Sequence, residues 1–97
     1  MWTAVIGQRF RVCVPLADDG FPADAEINRA LGRPECALVN DIWVLHQRSA
    51  VVYQTGLLTS GGEPAALVGL RLPTDNGSLH IQLLPTSWLK ADPGQGR

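Results

Sequence analysis

The sequence predicts an α+β domain: an antiparallel meander of four or five strands, flat or curled towards a barrel, with one short helix packed on one face. Residues 37–84 form four runs rich in Val, Ile, Leu and aromatic side chains, divided by short turn signals. One amphipathic stretch, 22–31, has helical spacing, and the segment before it alternates as a half-buried strand does. The chain of 97 residues has the size of one domain, and its 45% hydrophobic and 18% charged content is that of a chain able to bury a core. The domain is expected over 1–89. The tail 90–97, with Asp92-Pro93-Gly94-Gln95-Gly96, is expected to be loosely attached.

The first strand is expected over 9–14, with Phe10, Val12 and Val14 on one side and Arg9 and Arg11 on the other. Pro15 and Asp18-Asp19-Gly20 end it. In the helix, Ala23, Ile27, Ala30 and Leu31 make one stripe. Asp24 and Glu26 in the first turn and Arg29 in the last suit the helix dipole, and Gly32 with Pro34 supplies the stop. So short a helix must dock on the sheet to persist.

Four further strands are expected at 37–47, 51–57, 65–72 and 78–84. The reversals between them are Arg48-Ser49, the 60–63 turn around Gly61-Gly62, and the 74–77 turn, where Asn76-Gly77 suits a type I′ hairpin. Trp43 and Tyr53, flanking Arg48-Ser49, are then expected to pair across strands, a contact of about 0.2–1 kcal/mol.

Taken as strands, these runs are apolar on both faces, and one short helix covers only one. Some further cover is needed, from a curled barrel, from the N-terminal segment folding over the sheet or from a second copy; a homodimer is the expectation, with the barrel next. The interface residues expected are Trp43, Leu45, Leu70, Leu84 and Trp88.

Seven arginines and one lysine against nine acidic residues give a net charge of −1, and the arginines are scattered along the chain. That scatter argues against a general nucleic-acid surface. No apolar run approaches the roughly 20 residues that cross a bilayer, so no membrane is expected. The N-terminus has no basic region followed by a long apolar one, so the expected location is cytoplasmic.

No motif identifies a reaction. Cys13 and Cys36 form no CxxC pair and have no neighbouring histidine, so no metal, redox centre or cofactor is implied. Gly61-Gly62 precedes Glu63-Pro64 and not a helix, unlike a phosphate loop. The serines lack a nucleophile-elbow context. Asp41, in a run read as an apolar strand, needs a partner, and Arg71, Arg9 or Arg11 are the expected ones. Asp41, Tyr53, Arg71, Gln82 and His80 are the candidate lining of a ligand pocket.

The reading that follows is a non-enzymatic binding or interaction protein acting through a sheet face. The alternative is a small enzyme or metabolite-binding domain with a pocket between helix and sheet or at a dimer interface.

Overall fold

The alternation of Arg9-Phe10-Arg11-Val12 fixes the first strand. In the computed structural model, which describes residues 6–71 and 78–91, it forms β1 (Arg9–Val12), with Phe10 and Val12 buried and Arg9 facing out. Trp2, the 74–77 turn and residues 92–97 of the expected tail lie outside the described residues.

The helical stripe gives α1 (Asp24–Leu31), with Ile27 and Asn28 buried, Asp24 and Glu26 in the first turn and Arg29 in the last. Gly32 ends it in the left-handed conformation (φ 76°), and the N–H groups of Gly32 and Arg33 donate back to the carbonyls of Arg29 and Asn28. Asn28 is fully enclosed. Its Nδ2 donates to the carbonyls of Glu35 (3.1 Å) and Ala37 (2.9 Å), pinning the next loop to the helix, and its Oδ1 has no hydrogen-bond partner.

The expected strand at 37–47 is not formed. Asn40–Trp43 is instead a single helical turn, α2, anchored by the Val39 carbonyl, which accepts from the N–H groups of Ile42 and Trp43. The residues facing inward are Val39, Ile42 and Leu45, spaced by three as on a helix. Leu38 and Val44, which a strand would place beside Ile42, are 81% and 47% exposed. Arg48-Ser49 is consequently not a hairpin turn. Gln47 takes a positive φ (64°) and its N–H donates to the Val12 carbonyl, which leads the chain into the sheet beside β1. Trp43 stacks on His46, with centroids 4.7 Å apart and planes at 12°, and makes no pair with Tyr53.

The remaining strands are β2 (Ser49–Leu58), β3 (Pro64–Arg71), β4 (Leu79–Pro85) and β5 (Leu89–Ala91). All pairings are antiparallel, in the order β4-β3-β2-β1-β5. Strands β2, β3 and β4 are the expected meander, whereas β5 includes Lys90 and Ala91, two residues that the sequence reading assigned to the tail.

The order forces the sheet to curl. β4 and β5 lie at opposite edges, yet only the 3-10 turn Thr86–Trp88 joins them. A flat sheet would hold its outer strands about 19 Å apart, four intervals of about 4.8 Å. The link from Pro85 to Leu89 reaches about 14 Å at most. Breaks in register between Val52 and Gln54 and between Gln54 and Leu57, with Gly56 at φ 77°, bend β2 to allow the curl. The sheet remains unclosed, with no β4–β5 ladder among the described residues.

The curl, together with α1 and α2, covers the inner face without a second copy. Phe10, Val12, Val52, Val68, Leu84 and Leu89 meet Ile27, Ile42 and Leu45 in one core. Of the residues expected at an interface, Leu45, Leu70, Leu84 and Trp88 are buried in this core and Trp43 packs against it, so the chain itself encloses them.

His46 joins the two parts of the fold. Its Nδ1 accepts the Val14 N–H at 3.0 Å, and burial holds its pKa below the usual histidine value. The native state therefore favours the neutral ring, and the stability this confers is present above the unfolded pKa of about 6.5 and lost as pH falls below it. Thermal melts from pH 7.5 to pH 5 are expected to show the loss, and His46→Gln, which does not titrate, is expected to flatten it.

Candidate functional site

Strand alternation that sends Phe10, Val52, Val68 and Leu84 inward sends their neighbours outward. On the outer face the register sets Lys90 of β5 beside Arg11 of β1, and Arg11 beside Ser49 of β2. Two residues along, Arg9 faces Val51, Val51 faces Gly69, and Gly69 faces Ile81. Arg71 of β3 faces Leu79 of β4. Cations distant in sequence thus share one surface, and Arg48 joins them at its rim.

A groove of about 650 Å³ runs over this face, and its lining includes Arg9, Arg11, Arg48, Ser49, Tyr53 and Arg71. No carboxylate is among its described lining residues. Of the acidic residues described, Asp18, Asp19, Asp24, Glu26, Glu35 and Asp41 belong to the segment between β1 and β2, and Glu63 to the turn between β2 and β3. Asp75 and Asp92 lie outside the described residues. The net charge of −1 for the whole chain is thus compatible with a local gathering of arginines on the outer sheet face.

Local bonds set the guanidinium groups against the sheet. Arg9 Nη1 donates to Ser49 Oγ (3.2 Å), Arg11 Nη1 to the Gln47 carbonyl (3.0 Å) and Arg48 Nε to the Val44 carbonyl (3.2 Å).

Tyr53 is placed by a glycine. Its ring occupies the space where a side chain at position 69 would stand, and a methyl group there would run into Cε2. Gly69 thereby lets the ring lie across β3 with 45% of the residue exposed. Leu79 Cδ1 borders the same point, and Leu79 and Ile81 remain 47% and 45% exposed. Aromatic and apolar surface thus adjoins the cations.

The pocket lining expected from sequence is divided by the fold. Tyr53 and Arg71 do meet in the groove. His80 and Gln82 sit on β4 opposite Leu70 and Val68, so they share the inward register, and they hydrogen-bond to each other at 3.2 Å. Asp41 lies on α2 and pairs with Arg33, not with Arg71, Arg9 or Arg11, through contacts of 3.1 and 2.6 Å. That bond holds the Asp41 carboxyl below its usual pKa and raises that of Arg33.

The residues of this face outside the pocket lining expected from sequence are Arg9, Arg11, Arg48, Ser49, Gly69 and Lys90. The alternation of Arg9 and Arg11 with Phe10 and Val12 places those two on one side of the strand, as expected from sequence, but carries no information on their neighbours across the sheet. Among the described residues, no group of three or more His, Cys, Asp or Glu side chains could hold a metal ion. Among the same residues, no helix is long and apolar enough to cross a membrane. No known protein family, curated protein or solved structure matches this chain.

Proposed function

We propose that the chain is a non-enzymatic binding module that takes an anionic partner on the outer face of its sheet. The observation that carries this reading is the convergence of Arg9, Arg11, Arg48 and Arg71 on one groove of the outer sheet face, beside the half-exposed ring of Tyr53. Fields from like charges on one face add, and they raise both the local concentration and the association rate of an anion.

Self-association through the sheet, the reading expected from sequence, draws no support from either face. The inner face is filled by the chain's own core. On the outer face, a two-fold copy centred on the groove would bring one arginine row against another, a like-charge arrangement that disfavours pairing. The enzyme alternative also lacks support in the geometry, because His80 and Gln82 diverge from Tyr53 and Arg71.

Titration with inorganic polyphosphate at low salt tests the proposal. Amide chemical-shift changes are expected on β1, the start of β2 and the end of β3, and a double Arg9→Gln, Arg71→Gln variant is expected to bind at least about tenfold more weakly. Shifts that instead spread over α1 and α2, or no shifts at all, would remove the proposal.

A further inference from the structure

Resting on that reading, we infer that the anionic partner is a single-stranded nucleic acid. The outer face offers two different surfaces side by side. One is cationic and extended: Lys90, Arg11 and Arg71 lie on β5, β1 and β3, so the charges span three strand intervals, about 14 Å, with Arg9 two residues along from Arg11. A compact anion meets one or two of these groups, whereas a linear polyanion meets them all. The scatter of arginines along the sequence has no bearing here, because antiparallel pairing gathers residues from both ends of the chain.

The other surface is aromatic and apolar: Tyr53 over Gly69, with Leu79 and Ile81 beside it, each about half exposed. Carboxylate side chains of an acidic peptide find no complement in that surface. Unpaired bases do, because each has a π-face that stacks on a ring and an edge that excludes water from aliphatic carbon. A duplex keeps those faces stacked internally. Among the described residues the face also presents a sheet, with no projecting helix or ribbon of the kind that enters a major groove. A strand with free bases is the polyanion that uses both surfaces together, its phosphates against the cations and its bases over Tyr53.

The test is fluorescence anisotropy with a labelled oligothymidylate of about 12 nucleotides, competed by a duplex of equal length, by oligoglutamate and by inorganic polyphosphate. Oligothymidylate is expected to bind with a log–log salt slope of about −2 to −3, which corresponds to three or four phosphate contacts. Tyr53→Ala is expected to weaken it about tenfold or more while weakening polyphosphate by no more than a few fold, and Tyr53→Phe is expected to retain binding. Leu79→Ala supplies a second reading, a loss of a few fold on oligothymidylate alone, if Tyr53→Ala does not fold. Equal binding of oligothymidylate and polyphosphate that is indifferent to both substitutions would overturn the inference, as would duplex or oligoglutamate competing equally well. In each of those cases the anion-binding reading stands. Failure of polyphosphate and oligothymidylate alike would remove both.

Discussion

Gly61→Ala is expected to destabilise the protein by about 3 kcal/mol or more, read as a fall in the urea midpoint with an unchanged slope. A methyl group at this position runs into the Arg29 carbonyl oxygen and stands 2.7 Å from that of Ala30. Both obstacles are backbone at the end of α1, and neither can retreat. The Thr59 hydroxyl donates to the Ala30 carbonyl and accepts from the Glu63 N–H, so the turn is tied to the helix. On the other side Gly32 already lies against Ser60, where its own added carbon would come within 2.6 Å. Gly62→Ala is the control. That position has φ 85° and open space around it, so only left-handed strain applies, about 1–2 kcal/mol. Equal losses at the two positions would refute the close-packing account.

Asn28→Asp is expected to cost about 3 kcal/mol or more at pH 7. The change removes the Nδ2 donor that serves Glu35 and Ala37 and directs a carboxylate at two carbonyl oxygens in a fully buried position. Burial would raise the folded-state pKa of the new carboxyl above its unfolded value of about 3.9. The variant would thus be least impaired when protonated, near pH 4, and would lose stability as pH rises through the folded pKa. Asn28→Leu loses the same two bonds, about 1 kcal/mol each, but introduces no charge and removes the unpartnered Oδ1, so its deficit should not vary with pH. Denaturant titrations of both variants from pH 4 to pH 7.5 check this, and parallel curves would contradict it.

The parts of the fold legible in the sequence are those where local signals and tertiary environment agree. The 22–31 stripe with Gly32, the alternation at 9–12 and the Gly61-Gly62 reversal each carry their structure within a few residues. Residues 37–47 mislead because Val, Ile and Trp favour strands individually, while burial of Val39, Ile42 and Leu45 at intervals of three depends on a core built by distant segments. That single misreading produced the doubly apolar sheet, the expected Trp43–Tyr53 pair and the need for a second copy. In the candidate site, Tyr53 and Arg71 were legible as unusual residues on strands. Arg9, Arg11 and Lys90 were not, since their proximity is set by the β1–β2 and β1–β5 registers, which no local pattern encodes.

The pairing of β1 with β5 also sets the timing of folding. Phe10 and Val12 find their partners Ala91 and Leu89 far along the sequence, so this ladder carries a larger loop-closure entropy than any other strand pairing described. The β2–β3–β4 meander can assemble through short reversals, but the core stays open until Trp88 and Leu89 arrive. Such long-range closure places this fold among slow folders for its size, because β1 gains its second neighbour only when residues 89–91 reach it.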